Sequence, residues 1–156
     1  MKPNYAVIPL ILLLTSLIGS QLTRLGMEWY RTIALPSWTP SGAVIGAVWT
    51  FIFILVAVSA LLVWNARKPQ HLSAMVAIFV VNLLLNNFWS YLFFVAHMIG
   101  LAMLEMVLLN LSTLALMILS WPTSRKASIL LAPYFLWVCF ATYLTTSIWS
   151  LNSAGG

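Results

Sequence analysis

Acidic residues are almost absent from this chain of 156 residues, which contains no aspartate and only two glutamates, Glu28 and Glu105. Charged residues of both signs make up 6%, too few to cover the surface of a water-soluble fold of this length. A soluble globular domain is excluded. Cysteine is just as scarce: Cys139 stands alone inside an apolar run, so one chain can build neither a disulfide framework nor a thiolate metal site. His71 and His97 have no second histidine or cysteine at metal-ligand spacing, so no metal site and no required cofactor is expected. No hydrolytic constellation of nucleophile, base and acid is present, and no internal repeat is visible.

What the chain has is apolar surface: 63% hydrophobic residues and a mean hydropathy of +1.03. It falls into five runs, at about 5–23, 43–64, 72–95, 99–121 and 127–151. At about 1.5 Å per residue, a run of about 20 residues crosses the roughly 30 Å hydrocarbon core. The fold class is therefore an all-α integral membrane protein, a bundle of five transmembrane helices in one domain over residues 1–152. Pro36, Pro40 and Gly42, then Lys68-Pro69, then Pro122 with Arg125-Lys126 punctuate the runs. Only His97 and Gly100 separate the third from the fourth, which requires a tight turn. Residues 153–156 are read as a flexible tail. The first run is too long for a signal peptide and lacks an Ala-x-Ala site.

The net charge of +5 comes from basic residues set singly or in pairs between spans, so it marks topology and not a nucleic-acid partner. Lys2, Arg67, Lys68, Arg125 and Lys126 fall on one side; Arg24 and Arg31 fall on the other. The positive-inside rule then predicts a cytoplasmic amino terminus and an external first connection.

The third run carries Asn82, Asn86, Trp89 and Phe93 at helical spacing on one face. Amides in lipid need partners, so this face points into the bundle, either lining a cavity or bonding neighbouring helices. Asn87, Ser90, Tyr91 and Phe94 form an adjacent stripe, which predicts a central, largely buried helix. Trp49 and Phe53 are one turn apart on the second helix; Pro133, Trp137 and small Ala141 follow the same rule on the fifth. Such walls suit a flat apolar ligand stacked on indoles. Trp29, Trp38, Trp64, Trp121 and Trp149 lie near span ends, where interfacial anchoring is the first explanation of a tryptophan; Trp49 and Trp137 lie deeper. The long connection 24–42, with Glu28, Trp29, Tyr30 and Pro36-Ser37-Trp38-Thr39-Pro40, reads as a lid stiffened by proline. Glu105 lies inside the fourth helix and is read first as a hydrogen bond to a neighbouring helix, with a ligand contact or proton transfer as the alternatives. Ser16, Gly19, Ser20 and Thr23 permit close helix approach, between two copies or within one bundle.

Taken in order, Trp29-Tyr30, Pro36-Ser37-Trp38-Thr39-Pro40 with Gly46 and Trp49, Asn82 with Asn86-Asn87-Phe88-Trp89, Pro133-Tyr134-Phe135-Leu136-Trp137 with Ala141-Thr142, and Trp149-Ser150-Leu151-Asn152 cover almost the whole chain. This pattern resembles the TspO/MBR family, the tryptophan-rich sensory proteins related to the translocator protein or peripheral-type benzodiazepine receptor. The resemblance implies a commonly homodimeric five-helix receptor or carrier, set here in a bacterial cell membrane. Its lidded pocket would bind porphyrins such as protoporphyrin IX and isoquinoline or benzodiazepine ligands. Ligand-contacting positions carried over from the family are Tyr30, Trp38, Trp49, Phe53, Asn82, Asn86, Trp89, Phe93, Trp137 and Ala141. An enzyme that degrades porphyrin with light and oxygen, with Trp49 and Trp137 as catalytic residues, is a second implication, and a stress-sensing scaffold a third. The chain departs from the family pattern at Ser41 and Thr145, where proline and asparagine are frequent. No basic residue follows Tyr143, so the sterol pattern of animal relatives is incomplete and specific cholesterol binding is not expected.

Overall fold

The computed structural model describes residues 3–66 and 71–153. Lys2, Arg67 and Lys68, on which the topology reading partly rests, lie outside the described residues, as do residues 154–156 of the expected tail. The elements are α1 (Asn4–Leu25), α2 (Met27–Tyr30), α3 (Gly42–Trp64), α4 (Leu72–Ser90) continued by a π-helical turn (Tyr91–Val95), α5 (Ile99–Ser120), α6 (Arg125–Leu130) and α7 (Ala132–Ser153). Five helical stretches are long and apolar enough to cross a membrane, the fifth being α6 and α7 together. The chain is an all-α, multi-pass integral membrane protein.

Local chemistry sets the boundaries. Ser41 caps α3, its side chain accepting from the Val44 amide at 3.4 Å, and Ser124 caps α6 by accepting from Ala127 at 3.2 Å. The fifth span thus begins at Arg125, two residues before the expected start. Pro133 has no N–H to offer the Ile129 carbonyl, and the helix breaks at Leu131. Ser153 completes α7 instead of opening the tail. At the other tight point, Tyr91–Val95 widens to π geometry, burying Leu92, Phe93 and Phe94 in succession, which a 3.6-residue period does not allow. The turn to α5 then closes through His97 in the left-handed region, φ 57°.

The spans form a ring in the order α1, α4, α5, α6/α7, α3 and back to α1. The most buried span is α5, where the sequence pointed to the third run. Ala102 and Thr113 are fully buried on α5 and let α4 and α7 close on it, whereas Val80, Val81, Leu84 and Phe88 turn one side of α4 outward to lipid. Polar ties link the ring. Asn4 donates to Asn65 at 3.2 Å between α1 and α3, Ser59 donates to the Ala127 carbonyl at 2.8 Å, and Asn110 donates to Thr142 at 3.0 Å. On α1, Gly19 faces Asn87 and Ser90 of the same chain, so this small residue serves packing within one bundle.

At the end of α1, Gly26 lies directly on the backbone of Phe94: a Cβ there would meet the Phe94 carbonyl oxygen at 2.0 Å. Because the obstruction is backbone, Gly26→Ala should destabilise the protein by roughly 1–3 kcal/mol or more. Gly46→Ala, where a Cβ meets nothing within 4 Å, should cost nothing. Thermal unfolding of both variants in detergent checks the contrast.

Candidate functional site

Near mid-membrane, three helices meet on one phenol. The hydroxyl of Tyr134, at the start of α7, donates to Asn82 Oδ1 at 3.0 Å and accepts from Asn86 Nδ2 at 3.4 Å. Asn82 Nδ2 in turn donates to Ser112 and Thr113 of α5 at 2.8 and 3.0 Å. Asn82 is 1% exposed with its amide fully engaged, so it forms the floor of the region and positions Tyr134. Tyr134 was not singled out from the sequence. The signal was present in its place between Pro133 and Trp137, but an aromatic residue there reads first as wall.

Above this floor stand the aromatic side chains. On α3, Trp49 lies edge-on to Tyr134, centroids 6.0 Å apart, and tilts against Phe53 at 5.9 Å. On α4, Trp89 stacks on Phe93 at 5.4 Å, and on α7 Trp137 leans on Phe140 at 5.2 Å. Trp49, Phe53, Trp89, Trp137 and Ala141 all pack, half-buried, against the same core around Met106, Leu109, Tyr134 and Val138. These five residues from three separate helices thus share one core, whereas Phe93 and Tyr30 pack in a neighbouring cluster with Phe94 and Ile99, which Trp89 also touches. Away from the lid α3 leans on the fifth span through α6; it meets α7 only sparsely, and nothing crowds Gly42 or Gly46 at its lid end. The seam between α3 and α7 is thus loosely packed at the lid end.

The first connection covers this end. Thr39 closes a turn on the Pro36 carbonyl through its amide at 3.0 Å and its hydroxyl at 2.7 Å. That turn presents Trp38, which stacks on Tyr143 at 5.3 Å and meets Phe140 edge-on at 6.0 Å. Asn152, in the last turn of α7, grips the loop twice: Oδ1 accepts from the Ala34 amide at 3.0 Å and Nδ2 donates to the Ala34 carbonyl at 2.9 Å. Tyr30 packs on Phe93 and Phe94, and burial raises its phenol above the ordinary value, so it stays neutral. Trp29 stacks on His97 at 4.1 Å. Phe140, Tyr143 and Asn152 thus stand beside the ten positions that the family resemblance implied; an amide in the final helical turn was the readable sign of a latch.

Buried polar atoms normally have partners, and the exceptions concentrate here. Among the described residues Trp89 Nε1, Trp137 Nε1 and both carboxyl oxygens of Glu105 are buried without a hydrogen-bond partner, as is Asn87 Oδ1 beside α1. The two indole N–H groups can only donate, and both lie on the aromatic walls. A separate cavity of about 480 Å³ lies between α1, α3 and α4 at the opposite end of the bundle, and none of the ten candidate positions lines it.

Three substitutions test these assignments. Tyr134→Phe leaves Asn82 Oδ1 and Asn86 Nδ2 unpaired in a buried setting, which should cost roughly 1–3 kcal/mol. Tyr143→Phe, at an exposed ring, should leave the unfolding temperature in place. Asn152→Ala removes both bonds to the lid, so the Ala34 amide should exchange with deuterium faster than in the wild type while the amides of α5 remain protected.

Comparison with known proteins agrees with this architecture. The model of the TspO/MBR family matches residues 6–150. The chain is 38% identical to the Bacillus subtilis membrane protein YtaB, over 80% of this chain and 81% of that one. It is 36% identical to the tryptophan-rich protein TspO of Bacillus cereus, over 86% and 88%, and 30% identical to the human translocator protein, over 81% and 76%. With nearly its whole length matched, five membrane-spanning helices in place and Trp49, Trp89 and Trp137 set around one core, the chain belongs to the TspO/MBR family.

Proposed function

We propose that this membrane protein is a receptor or carrier that takes porphyrins, protoporphyrin IX and haem-like tetrapyrroles among them, and flat isoquinoline or benzodiazepine ligands between α3, α4 and α7 beneath the first connection. The observation that carries this reading is the pair of buried indole N–H groups, Trp89 and Trp137, that lack acceptors. A flat ligand with a carbonyl or carboxylate would stack on the indole faces and supply those acceptors. Tyr30, Trp38, Trp49, Phe53, Asn86, Phe93 and Ala141 complete the walls and lid, with Asn82 acting through Tyr134. Binding demands that the lid lift; its part at residues 34–38 is held by the Asn152 hydrogen bonds and the Trp38 stack, while Trp29 and Tyr30 stay anchored on His97, Phe93 and Phe94.

The accompanying expectations are a bacterial cell membrane, a cytoplasmic amino terminus and a homodimer. Since Gly19 is committed to its own bundle, a homodimer would draw on the outward face of α1, where Leu10, Leu13, Leu14 and Leu17 are exposed.

Titrating protoporphyrin IX into the protein in lipid nanodiscs should quench tryptophan fluorescence saturably. Trp49→Ala with Trp137→Ala should abolish saturation, and Ala141→Phe should weaken binding by steric overlap without unfolding the chain. Unchanged affinity in folded variants would place the pocket elsewhere. Illumination in air and under anaerobic conditions separates binding from light-driven degradation. Trp49→Phe with Trp137→Phe keeps flat aromatic faces but removes the readily oxidised indoles. Equal porphyrin loss with wild type, this variant and detergent alone is the outcome expected of a receptor.

A further inference from the structure

The cavity opposite the lid differs in chemistry from the aromatic site. Its volume is about 480 Å³, within the roughly 300–1,000 Å³ of small-ligand sites. Ile8, Val56, Ala60, Met75, Phe79 and Leu83 form much of its wall. The few polar side chains that reach it are already engaged. Asn4 donates to Asn65, Ser59 to the Ala127 carbonyl, and Ser120 to the Leu116 carbonyl at 2.6 Å. Nothing inside asks for a polar ligand, so the buried part of an occupant is hydrocarbon.

The shape follows from the packing of α1. Gly19 against Asn87 and Gly26 against Phe94 hold α1 tightly on α4 and its π turn at the lid end. At the other end, the segment of α1 that lines the cavity contains Pro9, which offers no N–H to the Tyr5 carbonyl. Val7 and Ile11 on α1, with Val76 and Val80 on α4, line the cavity and are also exposed to the surroundings. The cavity therefore opens sideways between two spans, into the bilayer.

The same end of the bundle is basic. Arg125 and Lys126 are exposed there, next to Ala127, which packs with the cavity-lining Val63 and Met75. Both acids of the chain lie elsewhere, Glu28 in α2 and Glu105 in the lid-side third of α5. Trp64 stands at the rim, and Arg125 lies 5.6 Å from the Trp121 ring, an arrangement suited to the headgroup level.

We propose that this cavity is a lipid-tail site, which holds one acyl chain of an anionic phospholipid with its headgroup at the basic end of the bundle. The bilayer supplies the ligand, the side opening admits it, and lysine and arginine favour the negative headgroup. The site is independent of the porphyrin reading and stands or falls without it.

Native mass spectrometry of the delipidated protein, titrated with phosphatidylglycerol or with phosphatidylcholine of identical chains, tests the proposal. Wild type should retain a single phosphatidylglycerol, with phosphatidylcholine held several-fold less. Ala60→Phe and Val76→Trp, which fill the cavity from different helices, should each lower retention at least about tenfold, while Leu136→Trp on the outward face of α7 should not. Far-UV helicity and thermal unfolding establish which variants are folded. Retention unchanged in a folded cavity variant, or equal retention of the two headgroups, would overturn the proposal, because lipid would then be coating the bundle without selection.

Discussion

The hydrogen bonds of Tyr134 hold the middle of this bundle. Hydrocarbon offers no partner to an amide or a hydroxyl, so Asn82, Asn86, Ser112 and Thr113 must satisfy one another or leave the membrane. They do so through one phenol, which binds α4 to α7 while the second amide hydrogen bonds of Asn82 reach α5. Unlike apolar contacts, which lipid tails can replace without loss, these bonds have one geometry. They fix the rotation of three helices, and hence which sides of Trp89, Phe93 and Trp137 face inward.

That constraint divides the bundle into two ends with different chemistry. Towards the lid, the walls are aromatic, the seam between α3 and α7 is loose, and donors on Trp89 and Trp137 are left over. Towards the basic end, the gap between α1 and α4 is lined by aliphatic side chains whose few polar neighbours are all bonded. Leftover donors would suit the acceptor-bearing ligand proposed for the lid end, and satisfied ones would suit the hydrocarbon chain proposed for the other. The two ends of one small bundle thus differ in the polar capacity they leave unused.

Much of this was legible in the sequence, because lipid imposes a simple rule on composition. Five apolar runs gave five spans, and spacing placed Asn82, Asn86, Trp89 and Phe93 on one side of their helix. What escaped the reading depends on contacts between distant segments. The π turn at Tyr91–Val95 answers to the left-handed His97 and to Gly26 lying on Phe94, neither of which a helical period encodes. The break at Leu131 was readable from Pro133, yet apolar continuity across it masked the boundary. Tyr134 stands in the sequence only as one aromatic of the motif at 133–137, because its function lies in the hydroxyl, whose partners are 48 and 52 residues away.

Glu105 shows where composition and packing meet. It is 5% exposed on the face of α5 that packs into the bundle, and neither oxygen has a hydrogen-bond partner. The other glutamate sits at the surface in an ion pair with Arg31, 3.3 Å away, which water and salt render weak. Among the described residues no lysine or arginine lies within a membrane-spanning helix between its end turns, so these helices supply no counter-charge for Glu105. A buried acid without a base gives little to a fold and costs much to keep. The latch at Asn152 and the network at Tyr134 each satisfy their own atoms, and Glu105 does not. Its position in the lid-side third of α5, on the span against which both α4 and α7 pack, ties its unsatisfied oxygens to the same end of the bundle as the indole donors, where the chain has left polar capacity unused.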